Sequence, residues 1–599
     1  MKPRKTFDNQ HSGLLFAPEA AALPLSKPVL PQPRVPYPHT IEYLRTADKA
    51  AVALAELLLQ QPLGLDIETT GLDPVQDRIR LVQLACRSGR VAVFDLFRMP
   101  VELFAPLSKA RLVAHNAVFE YAFLAAAGIH LEVLHDSMLM YRTLHGHTAS
   151  LQDAAQDVLL LPMDKTEQMS DWTAPQLTER QLRYAAMDAW TALQLGEALG
   201  AGRTTTYQLA VQALPVVAQC HLDGVPFDWQ QHALLCERWQ HDLTAAEQVL
   251  QRQLGTANPR STQQIGAWLQ QHLDAATLAA WPRTATGKLQ LDRDVLMSHA
   301  GHPVLGPLAR QRTLQKLLSV YGHGYLKHRH PISQRLHPHY RILGTVAGRF
   351  GCSNPNIQQL PADAELRGLV RADPGRLLVC ADYSQIELRI AALLSRDELL
   401  LAAYSAGADL HAQTAKALCG DATRRQLGKC ANFGLLYGSG AAGLQAFAKS
   451  SYQVVLTLAE AAQHRTRFLR SYAGLRKWQQ QIDAAARLSK KVHTRAGLVR
   501  VLDPYRMTEA LNTPVQGSAA EVLLAALGRL PHWLRGLDAR LVLHCHDELL
   551  LDCAEKDAPA AVTALAGCMT EAWQRLFPEA AMPSICEAHS GHSWAEAKE

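Results

Sequence analysis

Leu377-Leu-Val-Cys-Ala-Asp382-Tyr-Ser-Gln-Ile-Glu387-Leu-Arg389 joins an uninterrupted apolar run to an acid. A short apolar run of this kind predicts a buried strand with Asp382 at its end. A second run, Leu541-Val-Leu-His-Cys-His546-Asp547-Glu548-Leu-Leu-Leu551, reads as another apolar strand with His546-Asp547-Glu548 inside it. A carboxylate buried in such a strand is costly without a partner. Two acids from separate strands, Asp382 and Asp547, therefore point to shared metal ions.

Between these strands the chain is mainly helical and rich in Ala, Leu, Lys and Arg. Within it, Arg425, Lys429, Phe433 and Tyr437 are spaced by four, which lines them along one slowly drifting helix face. A core stripe would not begin with Arg and Lys. Two cations followed by two aromatics suit a nucleotide, with cations on the phosphates and ring faces beside sugar and base.

Upstream, Leu63-Gly-Leu-Asp66-Ile-Glu68 alternates apolar and polar residues and predicts a half-buried strand. Asp66 and Glu68 then share one face and repel each other unless a divalent cation holds them. Tyr184 and Asp188 stack on one face of a predicted helix, and His115-Asn-Ala-Val-Phe-Glu120 offers a further acid. Four such oxygen ligands can hold two hard cations, Mg²⁺ or Mn²⁺, that activate water against a phosphodiester. The Tyr184 hydroxyl could orient that water.

The whole chain has 599 residues, enough for roughly four domain-sized units. Its 48% hydrophobic content excludes a wholly disordered or collagen-like chain. A formal charge of +5 is too small to name a partner by itself. Its distribution says more. Residues 295–362 hold eight Lys/Arg and seven His with no Asp or Glu, which predicts a surface that follows a phosphate backbone. Residues 18–38 hold seven prolines and read as an extended tail, so 1–39 is expected to be disordered. No apolar stretch is long enough to span a membrane, and no signal core follows the N-terminus. The eleven scattered cysteines lack a CxxC pair and fit a reducing cytoplasm.

"LDIETTGLD", "AHNAVFEYAFL" and "YAAMDA" together resemble a DEDD-type 3′–5′ proofreading exonuclease with the Tyr variant. Thr345-Val-Ala-Gly-Arg349-Phe, Asn-Pro-Asn356-Ile-Gln358-Gln-Leu-Pro, DYSQIELR, the 425–438 stretch, Asn512-Thr-Pro-Val-Gln516-Gly, HDE at 546–548 and "SGHSWAEA" resemble, in family order, the polymerase domain of family A DNA polymerases. The fold implied is multidomain α/β and α+β: an RNase H-like exonuclease, then a right-hand polymerase. Expected bounds are 40–203 for the exonuclease, 204–335 for the thumb, 336–396 and 506–599 for the two parts of the palm, and 397–505 for the fingers. The length leaves no room for a 5′-nuclease domain.

The resemblance implies template-directed addition of deoxynucleotides to a primer 3′ end, with proofreading. The alternative is an exonuclease with a degenerate polymerase domain. Implied metal ligands are Asp382, Tyr383 and Asp547 in the palm and Asp66, Glu68, Glu120 and Asp188 in the exonuclease, with two ions in each site. Glu548 and Lys429 join the catalytic group of the polymerase, as Tyr184 joins that of the exonuclease. Arg425, His411, Phe433, Tyr437, Glu387 and Gln385 would contact the nucleoside triphosphate, Glu387 by blocking a ribose 2′-OH. Arg349, Asn356, Gln358, Asn512, Gln516 and His546 would touch primer–template DNA, and Leu72 and Phe119 would pack on a frayed 3′ end. Two positions depart from the family: Glu120, where Asp is usual, and Thr508, where many relatives carry Arg. The expected protein is a cytoplasmic, nucleoid-associated monomer, with no processivity partner legible.

Overall fold

The computed structural model describes residues 35–200, 203–284, 286–579 and 582–598. Most of the Pro-rich tail therefore lies outside the described residues.

The first domain is built on a six-stranded sheet. Its strands are β1 (Thr40–Leu44), β2 (Leu63–Thr69), β3 (Ile79–Ala85), β4 (Arg90–Asp95), β5 (Arg111–Ala114) and β6 (Val133–Asp136), in the order β1-β4-β3-β2-β5-β6. β3 runs antiparallel to β2 and β4, whereas β5 runs parallel to β2 and β6. The helix Glu179–Leu199 starts with a capping box between Thr178 and Gln181 and packs on β2. Gly64 permits this approach, because a Cβ there would collide with the Ala189 carbonyl. Backbone contact at Gly64 brings Asp188 over the strand that carries Asp66 and Glu68.

The helix Thr205–Asp223 leads into the second half and ends at Gly224, whose φ of 64° is a conformation glycine adopts without strain. Beyond it come helices Trp229–Leu254, Thr262–His272 and Leu305–Tyr321. Leu235, Trp239 and Leu314 join the main core, whereas Leu250, Ile265, Leu269, Trp281, Leu296 and Leu308 form a small core of their own.

A short hairpin of β7 (His339–Arg341) and β8 (Gly351–Ser353) follows, then β9 (Arg376–Tyr383). Helices from Ile386 to Ser489 and the ribbon β10 (Lys491–His493) with β11 (Val499–Val501) intervene before the chain returns. β12 (Ala539–Cys545), β13 (Glu548–Ala554) and β14 (Cys586–Gly591) complete an antiparallel sheet in the order β12-β13-β9-β14. The helix Ala558–Leu576 packs on β9 and β14, the helix Thr205–Asp223 packs on β12, and the helix Met507–Trp533 lies against both helices.

The run 541–551 is thus not one strand. It folds back at His546 and Asp547, with His546 at φ 59°, so Cys545 pairs with Glu548. An apolar run reads as continuous because both strands are buried, while the two polar residues make the tight turn. The stretch 151–199, which carries the predicted Tyr184–Asp188 helix, is helical only in parts. It holds a helical turn at Leu151–Ala154, a π turn at Ala155–Leu159 and irregular chain before Glu179. Among the described residues no helix is long and apolar enough to cross a membrane.

Candidate active sites: two carboxylate centres

Asp66 and Glu68 on β2 meet Asp188 from the helix Glu179–Leu199, each offering one oxygen within 4.8 Å of the others. Burial, then the charges of Asp188, Glu68 and Glu120, raise the Asp66 carboxyl well above the carboxylate range. Burial followed by Asp188 and Glu120 pushes Glu68 up to about 9. Burial also raises Asp188 to about 7, although Tyr184, one turn earlier, donates a hydrogen bond to it. Three acids so placed are mutually destabilising without cations, and a divalent ion fits their hard oxygen donors.

Glu120 sits in the first turn of the helix Val118–Ala126 and is 4% exposed. It does not join the three-oxygen group. Its charge nevertheless reaches Asp66 and Glu68, and its Oε2 is buried without a hydrogen-bond partner. The longer side chain thus leaves an acceptor free beside the cluster.

The positioning of Glu120 depends on Asp136, which sequence reasoning missed. Its buried carboxylate accepts from the backbone N–H of Asn116 (3.2 Å), Ala117 (3.0 Å), Met138 (2.8 Å) and Leu139 (3.2 Å). It caps the helix Ser137–His145 and pins the loop that launches the Glu120 helix. The cap pattern before Ser137 was a legible signal. Its cross-loop bonds were not.

A cavity of about 500 Å³ opens beside these acids, lined by Asp66, Tyr184 and Asp188 and, from the second half of the chain, by Arg341 and Gly344. A neighbouring cavity of about 240 Å³ is walled by Leu72 and Phe119 together with Tyr340. Leu72 is 74% exposed, which an ordinary core residue would not be.

The second centre lies where β9 meets the turn between β12 and β13. Asp382 pairs in register with Glu548, and the Tyr383 N–H donates to the Asp547 carbonyl at 3.3 Å. Asp382 Oδ1 is buried without a partner. Burial raises the Asp382 carboxyl despite the opposing charge of Lys598. Burial and then Asp382 push Asp547 up to about 7. An orphaned oxygen beside a second acid reluctant to ionise fits a divalent cation.

Glu548 differs from these two. Its Oε1 accepts from Trp594 Nε1 and from Cys380 Sγ (3.0 Å), while its Oε2 faces Lys598 Nζ (2.7 Å) and Arg367 Nη1 (3.7 Å). Both oxygens are engaged by protein donors. Tyr383 also turns its side chain away, donating its hydroxyl to Met569 O at 2.8 Å, so it presents main chain to the acids. Trp594, Cys380, Arg367 and Lys598 escaped sequence reasoning because they come from separate segments.

The helix Arg425–Leu436 ends at Tyr437, whose partner Glu387 acts electrostatically on Asp547. Gly428 lets it touch the helix Leu410–Cys419, since a Cβ there would strike the His411 carbonyl. His411 is 2% exposed, and burial, then Arg425, push its imidazole down to about 4. Asn432 Nδ2 donates to His411 Nδ1 at 2.9 Å, leaving Nε2 as the neutral ring's N–H. Arg425 Nε is 2.6 Å from Asp409 Oδ2, and Lys429 Nζ lies 5.7 Å from the Tyr452 ring centre.

Tyr437 and Arg349 both donate to Glu387, and Gln516 bonds to the Tyr437 hydroxyl. Asn512 and Gln516 are half-buried one turn apart on the helix Met507–Trp533. Gln358 Nε2 donates to His544 O (3.2 Å), and Asn356 precedes the same short turn. Gln385 accepts from the Tyr404 hydroxyl (3.1 Å), and His546 is exposed on its turn. Thr508 is exposed in the first turn of its helix.

The sequence model of the family described as DNA polymerase family A matches residues 230–596, and that of a 3′–5′ exonuclease family matches residues 41–201. DNA polymerase I of Aquifex aeolicus is 30% identical over 596 residues, covering 93% of this chain and 99% of its own length. DNA polymerase I of Chloroflexus aurantiacus is 28% identical, and the chain spans 64% of its length. The polymerase domain of Pol1 from M. smegmatis, solved with DNA primer-template and dNTP, shares the fold. Its TM-score is 0.80 at 23% identity, covering 93% of this chain and 100% of that one.

Proposed function

The chain belongs to DNA polymerase family A and carries a 3′–5′ exonuclease domain, and we propose that its two acidic centres divide the labour of a proofreading DNA-directed DNA polymerase. The centre at Asp382 and Asp547 extends a primer on a DNA template. The centre at Asp66, Glu68 and Asp188 trims the primer's 3′ end. We assign 40–203 to the exonuclease, 204–335 to the thumb, 397–505 to the fingers, and 336–396 with 506–599 to the palm. The protein works as a monomer on DNA in the cytoplasm.

Asp382, Asp547 and the main chain of Tyr383 would hold Mg²⁺ or Mn²⁺ in the palm, and Asp66, Glu68, Asp188 and Glu120 would do so in the exonuclease. When bound, such ions lower the pKa of the attacking oxygen and offset charge on the leaving one. Lys429 and Arg425 bring positive charge to the triphosphate, and His411 offers it a neutral N–H donor. Phosphoryl transfer needs positioning and charge neutralisation more than covalent help. Phe433 and Tyr437 flank sugar and base. Glu387, bridged by Tyr437 and Arg349, closes the space that a ribose 2′-OH would need.

Arg349, Asn356, Gln358, Asn512, Gln516 and His546 guide primer and template near the terminus. In the exonuclease centre, Leu72 and Phe119 pack on the frayed end, and Tyr184 orients the water. Glu548 shapes the palm through its protein partners.

The observation that carries the polymerase reading is the unpartnered, buried Oδ1 of Asp382 beside Asp547. The test is extension of a labelled primer. Asp382→Ala and Asp547→Ala should each abolish extension while keeping most DNA affinity, because phosphate contacts supply most of the binding. Substantial extension by either variant would overturn the assignment.

A further inference from the structure

Lys598 places its ammonium 3.0 Å from Asp382 Oδ2 and 2.7 Å from Glu548 Oε2. It stands among the palm acids as a fixed monovalent cation.

The placement is anchored. The Trp594 side chain is fully buried; its indole N–H donates to Glu548, and its backbone N–H donates to Val370 O at 2.8 Å. The Ala597 N–H donates to Ser593 O at 2.9 Å, closing the turn that delivers Lys598. Arg371 pairs with Glu596 at 3.3 Å on the outer side. Lys598 itself is 30% exposed in its side chain, so it can yield to a ligand entering from the cleft.

The charges make the consequence specific. Asp382 and Glu548 face Lys598, and Glu548 also lies 3.7 Å from Arg367. With these four ionised, two negative and two positive charges cancel, so the native palm is already neutralised where Asp382 would meet an ion. Lys598 also occupies Oδ2 of Asp382, so only Oδ1 is left without a partner.

We propose that Lys598 is a resident counter-ion of the palm centre. It competes for Asp382 and keeps the nucleotide-free palm from binding a divalent ion tightly, so that loading accompanies the arriving nucleoside triphosphate. This inference rests on the palm acids being the ion site, and the experiment separates the two claims.

The test measures Mn²⁺ binding to the nucleotide-free chain by electron paramagnetic resonance. An Asp66→Ala/Asp188→Ala background keeps the exonuclease centre from contributing. Lys598→Met should tighten palm Mn²⁺ binding on the order of tenfold, because one positive charge beside the ion is gone. Lys598→Arg should stay near the starting affinity, since the charge is kept. Unchanged or weaker binding in Lys598→Met, with Asp382→Ala losing the site, would overturn the role of Lys598 alone. Undiminished binding in Asp382→Ala would overturn the palm assignment and this inference with it. A thermal melt within a few degrees of the background's shows that Lys598→Met is folded. Lys598→Gln, which also removes the charge, should tighten binding in the same direction.

Discussion

Tyr437 donates its hydroxyl to the carboxylate of Glu387, which Arg349 grips from the other side. One acid thus ties the end of the helix Arg425–Leu436 to the loop that carries a proposed primer contact. Burial and then Glu387 raise the Tyr437 hydroxyl far above its ordinary value, so it remains a donor at any working pH.

Removing this bridge should loosen sugar choice. Glu387→Ala should admit ribonucleotides by making room, raising their kcat/KM relative to deoxynucleotides by about 100-fold. Tyr437→Phe keeps the ring and loses the hydroxyl's bonds to Glu387 and Gln516, but Arg349 still holds Glu387, so its effect should be smaller. Phe433 carries no hydroxyl, and Phe433→Tyr should raise the use of chain-terminating dideoxynucleotides. Discrimination unchanged in all three variants would remove the sugar-gate assignment.

Lys429 is half-buried on a helix whose Leu427, Cys430 and Ala431 are buried. Lys429→Ala should slow incorporation by about 10²–10³-fold, as expected when a charged stabiliser of the transition state is lost. Single-turnover rates with each deoxynucleotide would measure it. A near wild-type rate would make Lys429 an ordinary surface cation.

Proofreading tests the departure at position 120. The wild-type chain should digest a mismatched 3′ end, and Asp66→Ala should abolish that activity. Glu120→Asp shortens the reach by one methylene and should change the rate only several-fold, because the native Oε2 already lies free beside the cluster. An inactive wild type that Glu120→Asp restores would show that the longer acid disables the site.

The exonuclease acids also predict a pH effect on stability. Their folded pKa values are raised, Glu68 to about 9 and Asp188 to about 7. A raised acid binds protons more tightly when folded, so its contribution to stability falls as pH climbs from the unfolded value through the folded one. In chelator, Glu68→Gln should therefore raise the melting temperature at pH 8 and change it little at pH 5. The same linkage makes Mg²⁺ binding expel protons at pH 7, which calorimetry in buffers of different ionisation enthalpy would detect. Equal melting shifts at both pH values would contradict the raised Glu68.

Glu521 lies fully buried in the helix Met507–Trp533. It accepts from Thr206 Oγ1 (2.6 Å), Thr494 Oγ1 and the Ala496 N–H (2.8 Å), tying its own helix to the start of the helix Thr205–Asp223 and to the β10–β11 ribbon. Glu521→Ala leaves three donors unpaired and should cost about 1–3 kcal/mol for each donor that water cannot reach. A melting temperature unchanged by the substitution would show that water replaces the carboxylate.

Much of the site was legible in the chain order. Asp66 and Glu68 share a strand face because side chains alternate, and Arg425 through Tyr437 share a helix face because 3.6 residues make a turn. Such local periodicities survive in sequence, and with them the order of exonuclease and polymerase motifs. The turn at His546 and Asp547 was not legible, since two buried strands and one long one carry the same apolar composition. Nor were the contacts closed across long stretches of chain. Asp136 holding the Glu120 loop, Gly64 admitting the Asp188 helix, and Lys598 meeting Asp382 each join segments that only packing brings together. Sequence by itself determined which acids and cations this protein carries and on which local faces. Tertiary structure decided which of those charges meet. Side-chain identity and spacing are properties of a segment, whereas burial, desolvation and pairing depend on what the rest of the chain lays over it.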